Sequence, residues 1–241
     1  MHWYRRSIFA LLSMVAAALQ STASNAETRI GVASSTRPNA EGVNGANSQV
    51  LSAGSEVYAN ETVRTGNLGR ADLVLLDNTN FSVGPASEVR LDKFVYDPTG
   101  SSGKVVVQAT RGAFRFVTGS QDHRAYQVGT PWGTLGVRGT VVEGKVLPAV
   151  SKGMLPADEC VVKLNLSSGQ ASFTTLTGNV YPLVAGQTLC ILQNGTARYL
   201  PLETVFETTA FVPLFGGVPL GFTPPIQTSC TSQSTRFCPP Q

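Results

Sequence analysis

Charge is scarce in this chain of 241 residues: Asp, Glu, Lys and Arg together make up 14% of it. Histidine is scarcer still, with only His2 and His123. There is no G-x-S-x-G, no C-x-x-C, and beyond residue 26 no apolar run approaching the ~20 residues that span a bilayer. Each absence excludes something. A Ser-His-Asp arrangement would rest on His123 alone, and Ser120-Gln121-Asp122-His123-Arg124 reads as a solvated polar turn. Without cysteine pairs or a second histidine nearby, neither a metal site nor a cofactor is expected. Carboxylates are few and dispersed. Asp72 and Asp77 flank one candidate strand, Asp92 and Asp97 another, and both pairs read as turn formers rather than converging catalytic acids. Gly139-Thr140-Val141-Val142-Glu143-Gly144-Lys145 fits G-x-x-x-x-G-K, but Val146 stands where Ser or Thr must reach Mg²⁺, and the spacer is strand-like.

What the N-terminus does hold is an export signal. Arg5 and Arg6 precede an apolar run over residues 8–19, and Ser24-Asn25-Ala26 follows with small residues at −3 and −1. That order reads as a secretory signal peptide cut after Ala26, giving a periplasmic or secreted protein at most peripheral to a membrane. Removing residues 1–26 leaves 16 basic and 15 acidic residues. So even a balance gives no electrostatic footprint for nucleic acid.

Four cysteines lie in the last third: Cys160, Cys190, Cys230 and Cys238. An even number in an exported chain favours disulfides. Three pairings are possible, of which Cys160–Cys190 with Cys230–Cys238 is the most local.

Helical periodicity is almost absent after residue 26. Short β-branched and aromatic runs instead alternate with Gly, Pro, Asn and Asp, which predicts an all-β domain. Candidate strands cover 29–33, 56–63, 71–76, 88–95, 104–109, 113–117, 125–128, 137–142, 161–166, 171–176, 180–184 and 189–192. Asp77-Asn78 and Asn194-Gly195 suit turns that need positive φ. A loose repeat of an apolar residue, two small or polar residues and glycine (Leu51 to Gly54, Leu183 to Gly186) fits a coil of short strands turning at glycine. A β-sandwich gives nearly the same signal, so the fold class is all-β, solenoid-like or sandwich-like. Residues 34–49, rich in Ser, Asn, Gly and Ala, read as an exposed loop. From Pro201 proline becomes too frequent for a ladder, so residues 201–241 read as an irregular tail, unstructured or draped, whose Phe211 and Phe215 are candidate contacts. The expected organisation is a signal peptide over 1–26, a β domain over 27–200 and the tail.

The most distinctive segment is residues 126–139, YQVGTPWGTLGVRG, with glycines at 129, 133, 136 and 139. Glycine inside a strand marks a bulge, a bend or a close approach, and Pro131 forces an edge or a corner. Trp132 beside it is either a buried anchor or an interface aromatic. Arg138 is expected to sit in a crowded corner and to satisfy several carbonyls with its planar fork.

These residues also carry a family resemblance. Thr130-Pro131, Thr134 and Gly136-Val137-Arg138-Gly139-Thr140 resemble the T-P-x-A-T-x-G-V-R-G-T signature of FecR domains. Val63-Arg64-Thr65, residues 71–77, Gly84-Pro85 and Arg90-Leu91 are similar to the family's opening strands. Gly112-Ala113-Phe114-Arg115-Phe116 is similar to its middle, and residues 183–187 to its closing turn. The resemblance spans roughly residues 30–195. Two positions depart from the pattern, with Asp77-Asn78 for the usual D-G turn and Gly133 for the common Ala. FecR regulators also carry a cytoplasmic anti-sigma segment and a membrane helix before this part, where this chain reads as a signal peptide, and a carboxy-terminal receptor-contacting region that is not expected in this chain. The resemblance implies a non-enzymatic extracytoplasmic sensing or docking role with an envelope or membrane-sensor protein as partner. It does not imply iron transport or sigma-factor control. Trp132, Arg138, Phe211 and Phe215 are the candidate contacts. A carbohydrate- or peptidoglycan-binding module is the alternative, expected to align exposed aromatics on one face; a carboxylate hydrolase comes second.

Overall fold

The computed structural model describes residues 27–99, 103–122, 124–149 and 155–201, all as strands, turns and connections without a helix. No helix of the described residues is therefore long and apolar enough to cross a membrane. Fifteen strands share one continuous hydrogen-bonded ladder. They are β1 (Arg29–Arg37), β2 (Ala40–Asn44), β3 (Asn47–Val50), β4 (Glu56–Tyr58), β5 (Thr62–Thr65), β6 (Arg70–Leu75), β7 (Asn80–Val83), β8 (Glu88–Val95), β9 (Lys104–Val117), β10 (Tyr126–Thr130), β11 (Gly133–Val146), β12 (Cys160–Thr175), β13 (Val180–Val184), β14 (Gln187–Leu192) and β15 (Ala197–Pro201).

Three long strands fold this ladder over itself. The first half of β9 pairs with β8 and, in parallel, with β10, while its second half pairs with β7 and β11. β11 begins against β10 and ends against β9, and β12 exchanges β14 for β13 along its length. Each strand carries a glycine of positive φ where it changes partners: Gly112 (φ 90°), Gly139 (φ 59°) and Gly169 (φ 82°). The buried positions switch parity across each one. Val105, Val107 and Ala109 point inward before Gly112, Phe114 and Phe116 after it. Leu135 and Val137 give way to Val142 and Val146, and Leu164 and Leu166 to Ala171 and Phe173. One extra residue at a left-handed glycine is the geometry of a β-bulge, which bends a strand and re-aims its side chains. The single mixed sheet is thereby folded into two facing layers. One runs β4, β1, β6, β7, β9, β11, β12, β14, β15; the other runs β3, β2, β5, β8, β9, β10, β11, β12, β13.

The core lies between the layers. Phe81 stacks on Phe114 and meets Phe116 edge-on, at centroid distances of 5.8 and 5.7 Å. Phe116 in turn meets Tyr126 of the opposite layer at 5.8 Å. Burying one such aromatic contributes about 1.5–3 kcal/mol. Cys160 and Cys190, on neighbouring β12 and β14, form a disulfide, so that expected pair is present; Cys230 and Cys238 lie outside the described residues.

Several strand expectations need correction. Residues 34–49 are not a loop: β1 runs on to Arg37, and β2 and β3 form a hairpin. Its turn sits at Gly45 (φ 57°). All four residues of β3 are exposed on an edge, so no alternation of polarity marks it. The candidate strand 56–63 is two, broken at Asn60 (φ 67°). Conversely 104–109 with 113–117, and 161–166 with 171–176, are single strands, because the glycines between them bend the chain without ending the ladder.

Candidate functional site

The β10–β11 hairpin carries most of the distinctive segment. Thr130 pairs with Gly133, leaving Pro131-Trp132 as a two-residue turn. Thr130 Oγ1 donates to the Gly133 carbonyl at 2.9 Å and accepts the Trp132 N–H at 3.2 Å. A Cβ on Gly133 would overlap the Thr174 carbonyl and lie 2.8 Å from the Phe173 ring, which is why glycine is needed there. Trp132 is half-buried against the core. Its indole Nε1–H donates to the Leu147 carbonyl at 2.8 Å, so it ties the end of β11 to the hairpin tip. It also lines a small hollow of about 170 Å³ with Leu176 and Leu192.

Beyond the turn, Tyr126, Val128, Leu135 and Val137 face the core. Their alternates face out, and register sets them in rows across four strands: Gln127, Gly136, Ser172 and Pro182, then Arg138, Gln170 and Val184. An open hollow of about 350 Å³ lies over these rows, lined by Arg124, Gln127, Gly136, Arg138, Gln170 and Ser172. Gly136 forms its floor, and a Cβ there would come no nearer than 3.6 Å to Ser172 Oγ. No steric demand therefore explains this glycine, whose missing side chain leaves the hollow open. Val184, 50% exposed, is the register partner of Gln170 on the next strand.

Arg138 corrects an expectation. It is exposed, and among the described residues its side chain makes no hydrogen bond or ion pair. Strand parity sends it outward, so it satisfies no buried carbonyl. Arg124, the second guanidinium, is held among the described residues by exposed Asp122 at 3.8 Å. Trp132 and Arg138 are also not one corner, since they stand at opposite ends of the first half of β11. The other motif residues are structural: Val137 is buried, Gly139 bends the strand, and buried Thr140 ties its backbone to Thr118 through N–H to Oγ1 at 3.1 Å. Phe211, Phe215 and His123 lie outside the described residues.

A buried network beside the hollow went unread in the sequence. Tyr126 Oη donates to Asp77 Oδ2 at 3.0 Å and accepts the Gln121 N–H at 2.8 Å. Burial, with the Asp77 charge beside it, pushes the Tyr126 hydroxyl up to about 12. Asp77 also accepts Thr79 N–H and Oγ1–H, so it is a structural turn residue. Asp72 is likewise engaged, by Arg70 at 2.8 Å and Ser35 at 2.7 Å. Both carboxylates are thus engaged by neighbouring side chains. Among the described residues the exposed aromatics sit on separate elements, Tyr96 just after β8, stacked on Phe94, and Tyr199 on β15. Among the described residues no group of three or more His, Cys, Asp or Glu could hold a metal.

Residues 61–181 match the family described as FecR protein, and the chain belongs to that family. The family is regulatory rather than enzymatic. Comparison with curated proteins returns no match. Two crystal structures of a candidate anti-sigma factor from Parabacteroides distasonis ATCC 8503 are similar, each at 14% identity, with TM-scores of 0.45 and 0.44. The likeness covers 59% of this chain and 60% of theirs.

Proposed function

We propose that this chain is a non-enzymatic, extracytoplasmic docking domain that binds an envelope or membrane-sensor protein through the outer face of β10, β11 and β12. The observation that carries the reading is Arg138: an exposed guanidinium without a partner among the described residues, beside an open hollow floored by a glycine that packing does not require. Arg138 and Arg124 would select an acidic or carbonyl-rich partner segment by forked hydrogen bonds, and exposed Val184 beside Gln170 would meet an apolar side chain of it. The Cys160–Cys190 disulfide supports placement outside the cytoplasm. Export with cleavage after Ala26 belongs to this reading, as does a folded unit ending near residue 200 and followed by a tail.

Arg138→Glu tests the docking face. Crosslinking in intact envelopes with a photoreactive residue at position 127 should give a discrete adduct that Arg138→Glu abolishes, with melting unchanged within about 1 °C, as for a surface substitution. An adduct that persists in the variant would refute the face. N-terminal sequencing of the exported protein should begin Glu27-Thr28-Arg29.

A further inference from the structure

We propose that the β2–β3 hairpin and the β4–β5 turn form a second binding site, for one neutral sugar ring of an envelope glycan. The site is a cavity of about 240 Å³ lined by Glu27, Gly42, Asn44, Asn47, Ser48, Gln49, Tyr58 and Glu61. Pockets for drug-sized ligands run to about 300–1,000 Å³, so this one suits a single small ring.

Glu61 is the informative group. It is only 2% exposed. Its Oε2 accepts the Tyr58 N–H at 2.7 Å, and Gln49 provides a second hydrogen bond. Among the described residues no Lys or Arg forms an ion pair with it, and burial pushes its carboxyl above the ordinary range. A Cβ on Gly42 would overlap Glu61 Oε1, so glycine at that position makes the room the carboxylate occupies. Capping the Tyr58 N–H alone does not require a carboxylate, since a neutral glutamine accepts as well. A buried acid without a counter-charge at the wall of a cavity is a strong acceptor held in place for donors brought by a ligand.

The rest of the lining defines those donors. Asn44, Asn47 and Gln49 each offer an amide donor and acceptor, and Ser48 a hydroxyl. Hydroxyl groups, which also donate and accept, match such a set. Tyr58 supplies the ring for a sugar's C–H face, its hydroxyl pinned by donation to Glu56 Oε2 at 2.8 Å. No Lys or Arg lines the cavity, while Glu61 and Glu27 do, so phosphate, sulfate, uronate and acidic peptide are repelled. A hard cation such as Ca²⁺ takes 6–8 oxygens, usually several carboxylates, against two acids here. This cavity and the Arg138 hollow lie toward opposite ends of one layer, with β5, β8 and β9 between them. Occupation of one leaves the other free, which would let the domain hold a glycan while docking a protein.

The test is titration of the exported protein with glucose, N-acetylglucosamine and glucosamine oligomers of two to six units, followed by amide NMR and calorimetry. Glucuronate and CaCl₂ run as controls. Saturable binding of glucose or N-acetylglucosamine oligomers, in preference to the cationic glucosamine series, should shift the signals of Asn44, Asn47 and Gln49. The near-isosteric Glu61→Gln should weaken it about tenfold or more, the loss expected for a charge-assisted hydrogen bond. Exposed Asn47→Ala should weaken it without changing melting, and Arg138→Glu should leave it intact, so failure here and failure of the docking face are separable. Absence of saturable binding by these sugars, equal binding of glucuronate, unchanged affinity in both pocket variants, or EDTA-reversible Ca²⁺ binding with the same signal shifts would each overturn the proposal.

Discussion

Replacing Gly169 by alanine isolates the bend that folds β12 between layers. At φ 82° an alanine enters the left-handed region, at a cost of roughly 1–2 kcal/mol. Its Cβ would also overlap the Gly139 carbonyl oxygen and lie 2.8 and 2.9 Å from Gly139 C and Arg138 O. Those are backbone atoms of the adjoining bend and cannot swing aside, so overpacking adds roughly 1–3 kcal/mol. The sum is about 2–5 kcal/mol, or roughly 4–20 °C at about 2–4 °C per kcal/mol for a domain of this size. Gly186 provides the control. Its φ is 83°, and a Cβ there meets nothing within 4 Å. Gly186→Ala should therefore show the backbone cost alone, about 1–2 kcal/mol. Parallel urea and thermal denaturation of the two variants measures the difference. Equal destabilisation would show that the two bends do not touch, and the two-layer account of β11 and β12 would fall with them.

Non-reducing peptide mapping should find Cys160 linked to Cys190, and removing that link should destabilise by about 3–4 kcal/mol on the chain-entropy model, given the sequence separation of 30; Cys160 joined to Cys230 or Cys238 would contradict this. The Asp72 carboxyl is pushed up by burial, but Arg70, Ser82 and Ser35 outweigh that and hold it below its ordinary value. Its contribution is thus complete above the unfolded carboxylate range and lost as pH falls through the lowered folded value, and Asp72→Asn should flatten that acid limb in urea titrations. Glu61, raised instead, has the opposite sign. It favours the folded state most at low pH and loses that contribution as pH rises, so Glu61→Gln should be no less stable than the parent at pH 7.

Most of the strands were legible because their inward positions carry β-branched and aromatic residues at period 2. What escaped was what that period cannot encode. Gly112, Gly139 and Gly169 interrupt the alternation, and a glycine that interrupts an alternation looks the same whether the strand ends or bends. The β2–β3 hairpin reads as loop in the sequence because an exposed edge strand has no buried face to declare itself. The hollow was half legible. Gly136 and Arg138 sit in the motif, but Gln127, Gln170 and Ser172 join them only through the register of three strands. Glu61 had no sequence signal, since its meaning depends on the space left by Gly42, nineteen residues away.

Arg138 shows why a motif needs its register before it can be given a role. Read as a string, Gly136-Val137-Arg138-Gly139-Thr140 places an arginine among small residues, which suggests crowding and a buried fork. Read on β11, the same string alternates. Val137 points in, Arg138 points out, Gly139 takes the extra position of the bulge, and Thr140 points in again on the new parity. The bend thus fixes the direction of the residue before it: Arg138 stands at the last outward position before the strand leaves the layer. Its side chain is exposed, and its charge has no partner among the described residues that its loss would orphan. The usual routes by which an arginine substitution destabilises a protein are closed here. Loss of crosslinking in Arg138→Glu with unchanged melting would therefore report on binding alone.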